Sequence, residues 1–246
     1  MARQSRQHVP AILLTRPAEQ SARFAKALQR AFGPGLTILV SPLMEPEFLS
    51  PVIDFTRVKG VVLTSETGAR GLGRLGPPAG LPAWCVGDRT ASAARSVGLD
   101  ARSAGGDAAA LRALVVAEGV AGPLLFARGS EVAADLAQEL TLAGIETFAG
   151  IFYTQKPVPL TSEAAQLLAR NQPVILPIFS ARSALRLIED SQAGHVIAPL
   201  WIAAISRAVC DSARPLLPVR VAVAAQPDGP GMVAAVQALL AAGEMP

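Results

Sequence analysis

Lysine is almost missing from this chain of 246 residues: only three of its 22 basic residues are lysines, and the other nineteen are arginines. These positive charges stand singly, with no basic run and no interleaved aromatics, so the +3 net charge gives no footprint for a nucleic-acid backbone. Cysteine and histidine occur twice each, which leaves too few donors for a disulfide framework or a metal-ligand spacing. Cys85 and Cys210 each lie in an apolar stretch and read as buried thiols. His8 and His195 read as surface residues, with no nucleophile pattern around either. Long apolar runs are also lacking, since the stretch from Val196 to Ile205 is broken by Pro199 and falls short of the ~18 residues that cross a bilayer. The run from Val9 to Leu14 is too short for the core of a signal peptide, so the expected location is the cytoplasm.

Nucleotide motifs are missing as well. There is no P-loop pattern, and the one G-x-G-x-x-G match, at Gly71, Gly73 and Gly76, lies inside or beyond the helix that follows the strand at Val61 to Leu63. A dinucleotide fingerprint must instead occupy the strand-to-helix turn. The sequence therefore predicts neither a cofactor nor a metal.

What is present is apolar and periodic. Hydrophobic residues make up 51% of the chain and charged residues 17%, enough to build a core, and the length suits two domains of about 120 residues. Three segment types recur in the same order. In the first, Ala11 to Pro17 leads into a helix from Glu19 to Phe32, echoed by Pro123 to Gly129 and a helix from Glu131 to Ala143; the helices end at Gly33 and Gly144. The second runs from Gly60 through a hydroxyl-bearing turn at Thr64 and Ser65, echoed from Pro173 through Phe179 and Ser180. The third runs from Ala83 to a helix at Ala108 to Glu118, echoed from Leu200 to a helix at Met232 to Ala242, with Trp84 and Trp201 in equivalent places. Continuous apolar strands alternating with helices predict parallel sheets covered on both faces, a doubled α/β fold. The proline-bearing pieces that follow each first-type unit, Leu39 to Phe48 and Ala149 to Pro159, read as linkers.

The carboxyl edges of such sheets carry the chemistry. Hydroxyls at Thr64, Ser65, Thr90, Ser92, Ser180, Ser183 and Ser206 suit helix capping at any one position. Taken together, helix N-termini facing one cleft form a surface for carboxylates. Arg16 and Arg128 hold equivalent turn positions, where local pairing competes with ligand binding. Tyr153 is the sole tyrosine; it reads either as a packing or hinge residue or as a proton donor.

Several motifs in fixed order carry a likeness to a known family. They are Leu13 to Pro17 (L-L-T-R-P), Val61 to Ser65 (V-V-L-T-S), Val86 to Ala91 (V-G-x-x-T-A) and Leu124 to Ser130 (L-L-F-x-x-G-S). Tyr153-Thr154, Phe179-Ser180 and Ala203 to Ser206 complete the set. From about Ile12 to Leu240 the chain resembles the uroporphyrinogen-III synthase family, departing from it where Ser206 and Arg207 stand in place of the usual glycine and a proline or small residue.

The resemblance implies two flavodoxin-like parallel-sheet domains, the first discontinuous. Its expected bounds are 1–39 plus 158–246 for one domain and 48–148 for the other, with linkers at 40–47 and 149–157 and an active cleft between the domains. It also implies a monomeric lyase that takes hydroxymethylbilane as substrate, without cofactor, metal, membrane or nucleic acid. Tyr153 becomes the catalytic proton donor or orienter of the leaving group. Thr15, Arg16, Thr64, Ser65, Gly87, Thr90, Arg128, Gly129, Phe179, Ser180 and Ser206 become substrate-binding positions. The alternative, which Ser206 and Arg207 motivate, is a non-catalytic α/β clamp for an acidic ligand, or a degenerate paralogue.

Overall fold

The computed structural model describes residues 10–131, 135–194 and 196–243, so His8 and His195 lie outside the described residues. The chain divides into two compact units, Met1–Glu45 with Pro157–Pro246, and Pro46–Lys156. The first unit opens with β1 (Ala11–Leu14), α1 (Ala18–Phe32) and β2 (Ile38–Val40). From β3 (Met44–Phe48) the chain passes into the second unit: β4 (Gly60–Leu63), α2 (Glu66–Gly73), β5 (Pro82–Cys85), α3 (Asp88–Ser96) and β6 (Asp100–Ser103). There follow α4 (Ala108–Ala117), β7 (Leu124–Gly129), α5 (Leu136–Leu142) and β8 (Thr147–Pro157). The return to the first unit supplies α6 (Ser162–Leu168), β9 (Val174–Ile178), α7 (Ala181–Ala193) and β10 (Leu200–Ala204). It closes with α8 (Arg207–Ser212), a short 3-10 turn, β11 (Arg220–Val223) and α9 (Gly229–Gly243).

The first sheet has the order β11-β10-β9-β1-β2, with every neighbouring pair parallel. In the second, β3-β8-β7-β4-β5-β6, the pairs from β8 to β6 are parallel. The sequence repeat explains both orders. First-type strands β1 and β7 sit beside the strand that follows them, second-type strands β9 and β4 come next, then third-type β10 and β5, and finally β11 and β6. In these terms each sheet reads 2-1-3-4-5, the flavodoxin-like order, with β3 added at the edge of the second beside β8.

The inner strands β1, β4, β9 and β10 are continuously apolar because both of their faces are covered. Leu13 faces one cluster with Leu176 and Ile202, whereas Ile12 and Leu14 face the opposite cluster with Trp201 and Val236. In the second unit Val61 and Leu63 face one side and Val62 the other. Phe126 and Phe152 are buried, and cutting either back to alanine removes about 3–5 kcal/mol.

The repeat also fixes a cross-strand pair. Trp84 stands opposite Arg102 and Trp201 opposite Arg220, each guanidinium lying over its indole, at 5.9 and 4.4 Å.

Several local readings are revised. The proline-bearing segments read as linkers contain strands β3 and β8 of the second sheet; β8, 11 residues long, pairs with β7 from Thr147 to Tyr153 and has β3 on its other side. The second first-type helix is described from Leu136, with residues 132–134 outside the described residues. Thr90 and Ser92 lie inside α3, whose N-cap is Gly87. Cys85 is buried while Cys210 is only half-buried; burial pushes the Cys85 thiol up to about 11, which keeps it protonated and unreactive at neutral pH.

Candidate active site

Three features converge at the carboxyl edge of the second sheet. The first is the turn after β4, where Ser65, in extended backbone, caps α2 by accepting the Gly68 N–H at 2.9 Å. Gly68 has no room for a side chain, because a Cβ there would meet the Ala127 carbonyl oxygen at 2.7 Å. This close approach brings the start of α2 against β7.

The second is the end of β7. The register of β7 and β8 shifts between Arg128 and Gly129, so that Gly129 pairs with Tyr153. The Ser130 N–H donates to the Tyr153 carbonyl at 2.9 Å. A Cβ on Gly129 would lie 2.7 Å from Tyr153 Cζ, so glycine is what admits the ring. The phenol, half-buried, reaches the Ser65 hydroxyl, with 3.1 Å between Oη and Oγ. Beside it the Ser130 hydroxyl donates to Thr154 Oγ1 at 3.1 Å. Arg128 Nη1 donates to the carbonyls of Gly129 and Ser130, at 2.9 and 3.2 Å.

The third is the turn after β5. Gly87 caps α3 from extended backbone with no side chain to bond the helix N–H groups. Thr64 is half-buried beside Ser65, and Thr90 is buried within α3.

The first unit places Thr15, Arg16, Phe179, Ser180 and Ser206 at the carboxyl edge of its own sheet. Thr15 is buried, and its carbonyl accepts the Leu43 N–H at 3.1 Å. Arg16 lies 4.0 Å over the Phe179 ring, which meets Phe24 edge-on at 5.0 Å. Ser180 caps α7, accepting the Ser183 N–H at 3.1 Å with the Ser183 hydroxyl at 2.8 Å. Ser206 caps α8 by accepting the Val209 N–H at 3.4 Å, and the exposed Arg207 lies 3.8 Å from Asp211.

The expected positions thus fall into two groups, Tyr153 with Thr64, Ser65, Gly87, Arg128 and Gly129 at one sheet edge, and the remainder except Thr90 at the other. The Ser130–Thr154 pair and the Phe24 contact were not anticipated. Ser130 and Thr154 each end a motif quoted above, and that adjacency was the available signal. Among the described residues no cluster of three or more His, Cys, Asp or Glu side chains could hold a metal, and no helix is long and apolar enough to cross a membrane.

Doubly wound parallel sheets with helix N-termini and a phenol at the carboxyl edge are the class of α/β protein that takes small ligands there. A family model described as Uroporphyrinogen-III synthase HemD matches residues 23–234, and the chain belongs to that family. The family forms uroporphyrinogen III, a lyase-type reaction on a small tetrapyrrole. The fold is similar to that of the uroporphyrinogen-III synthetase from Helicobacter pylori 26695, with a TM-score of 0.64 at 14% identity over 94% of this chain and 99% of that one. A mutant uroporphyrinogen III synthase from Thermus thermophilus aligns over 93% of this chain and 98% of its own, at 18% identity and a TM-score of 0.47. At 14% the first likeness is one of fold alone. No curated protein matches the chain.

Proposed function

We propose that this chain is a hydro-lyase that closes hydroxymethylbilane to uroporphyrinogen III, with Tyr153 giving the proton that lets the leaving group depart as water. The observation that carries this reading is the phenol of the sole tyrosine, held over Gly129 and hydrogen-bonded to the N-cap of α2. Protonation of the hydroxymethyl oxygen breaks its C–O bond, releases water and leaves an electron-poor exocyclic carbon. The last ring attacks that carbon through its substituted position, giving a spiro intermediate; fragmentation and reclosure invert the ring. The proton lost as the pyrrole recovers its aromaticity balances the one given up. An electron-rich pyrrole expels water readily, so orientation of the chain supplies much of the rate. The backbone N–H groups at the start of α3, which Gly87 leaves without a side-chain cap, suit the substrate's carboxylates.

Ser206 and Arg207, which motivated a clamp without catalysis, have ordinary work in the structure as a helix cap and a surface charge near Asp211.

The test is to incubate the purified protein with hydroxymethylbilane, oxidise the product and separate the porphyrin isomers. The inverted type III isomer is expected, with turnover in Tyr153→Phe lowered about a hundredfold. Type I alone from the native chain would overturn the activity, and unchanged turnover in Tyr153→Phe would remove the phenol from the mechanism.

A further inference from the structure

Ser65 has a different part to play from carboxylate binding. Its oxygen already accepts the Gly68 N–H at 2.9 Å, and the same oxygen lies 3.1 Å from Tyr153 Oη. Two hydroxyl protons and one shared contact leave one proton spare. If the phenol donated, Ser65 Oγ would accept twice and the spare proton would be that of an alcohol, a poor acid. An N–H bond into Oγ polarises the hydroxyl and makes it a better donor, as linked hydrogen bonds do. The positive end of α2 acts in the same sense.

Resting on the reading of Tyr153 as proton donor, we propose that Ser65 is a positioning residue which donates its proton to Tyr153 Oη and turns the phenolic proton outward to the leaving group. The packing supports a fixed geometry. Gly68 against Ala127 holds the cap in place, Gly129 admits the ring, and the Ser130 N–H anchors the Tyr153 backbone. The single bond from Ser65 then does two things, fixing the Oη position and assigning which proton is free.

Because Tyr153 is the only tyrosine, its ring vibrations report on this bond without interference. The Raman intensity ratio of the tyrosine Fermi doublet is high when the phenol oxygen accepts a strong hydrogen bond and low when it donates one. Native protein should show the accepting signature, and Ser65→Ala should lose it. Ser65→Thr, which keeps both the cap and the donor, should retain it.

Kinetics separate the roles. Ser65→Ala should lower kcat about tenfold, the loss of one hydrogen bond, with KM unchanged, whereas a carboxylate ligand would raise KM. Ser65→Asp keeps a capping oxygen for Gly68 but has no proton to give, so its thermal midpoint should stay near native while kcat falls at least as far as in Ser65→Ala. In a Tyr153→Phe background, Ser65→Ala should have no further effect on kcat. A donating signature in the native Raman spectrum, native kcat in Ser65→Asp, or additive losses in the double variant would each overturn the assignment to Ser65. Unchanged turnover in Tyr153→Phe alone would instead overturn the role of Tyr153, so the two failures are distinguishable.

Discussion

The two units are copies of one design whose carboxyl edges have diverged. In each, an arginine stands at or just beyond the carboxyl end of the first-type strand and a second-type strand leads into a serine-capped helix: Arg128 and Ser65 in one unit, Arg16 and Ser180 in the other. The second unit adds a long β8 that carries Tyr153 to the N-cap serine. The first unit's β2 is only three residues long and brings no phenol to Ser180, which meets Ser183 instead. Arg16 there stacks on Phe179, where Arg128 in the second unit bonds backbone carbonyls. The two edges are thus similar in plan, and the length of the strand beside the first-type strand, three residues in β2 and 11 in β8, decides which of them receives a phenol.

The largest expected effect breaks this asymmetry at Gly129. In Gly129→Ala the new Cβ would lie 2.7 Å from Tyr153 Cζ and 3.0 Å from Oη, so the ring must move and its contact with Ser65 is lost. Turnover should fall about a hundredfold, because displacement of a reacting group by about 1 Å costs that much. Overpacking should cost about 1–3 kcal/mol, which leaves the protein folded by circular dichroism. In the first unit, Ser180→Ala should cost about 1 kcal/mol of stability through the lost cap and leave turnover close to native. Equal kinetic losses in the two variants would show that the chemistry is not confined to one edge.

The next comparison concerns the paired tryptophans. Arg102 is held by Glu118 at 2.7 Å, and the same carboxylate accepts the Trp84 indole N–H at 2.9 Å. Arg220 lies over Trp201, but its Nη1 is buried with no hydrogen-bond partner. Glu118→Ala should therefore destabilise, by about 1 kcal/mol, since it strands the indole N–H while the ion pair itself is half exposed. Arg220→Met keeps the apolar stem over the ring and removes the unpaired donor, so the lost cation–π attraction of about 0.5–1 kcal/mol is offset. Urea denaturation of the two variants should place Arg220→Met within about 0.5 kcal/mol of native and Glu118→Ala below it.

Much of this arrangement could be read from the sequence because it is written in local chemistry. Apolar runs mark the parallel strands, Gly33 and Gly144 mark helix ends with φ of 83° and 88°, and the doubled order of segments points to two parallel sheets. The G-x-G-x-x-G match fell, as expected, within and beyond α2. What could not be read depends on partners distant in sequence. Tyr153 falls in a proline-bearing segment that reads as a linker, yet pairing with β7 through a register shift makes that segment a strand of the second sheet, buried only at Gly150 and Phe152. Thr90 and Ser92 looked like caps because hydroxyls usually cap helices; the cap proved to be Gly87, a residue with no capping side chain, and Thr90 turned inward. The Ser65–Tyr153 contact spans 88 residues, beyond the reach of any local pattern.

The smallest expected effect lies in the helices that directly follow the third-type strands, where Gly87 caps α3 and Ser206 caps α8. A serine oxygen satisfies an N–H that would otherwise be available to a ligand, so cap stability and carboxylate affinity oppose each other at this position. Gly87 has φ −162° and ψ 172°, extended backbone that serine adopts without strain, and nothing lies within 4 Å of its would-be Cβ. Gly87→Ser should accordingly raise stability by about a few tenths of a kcal/mol. If the substrate's carboxylate uses those N–H groups, KM should rise several-fold with kcat unchanged, the pattern of lost uniform binding. Ser206→Gly should cost about the same few tenths of a kcal/mol and leave KM near native, since α8 has only six residues and a weak dipole to offer. Thermal midpoints and steady-state kinetics on both single variants measure the exchange directly. A rise in KM for Gly87→Ser alone places a carboxylate at the start of α3, while an unchanged KM in Gly87→Ser removes this helix from substrate binding and leaves the glycine with a purely conformational role.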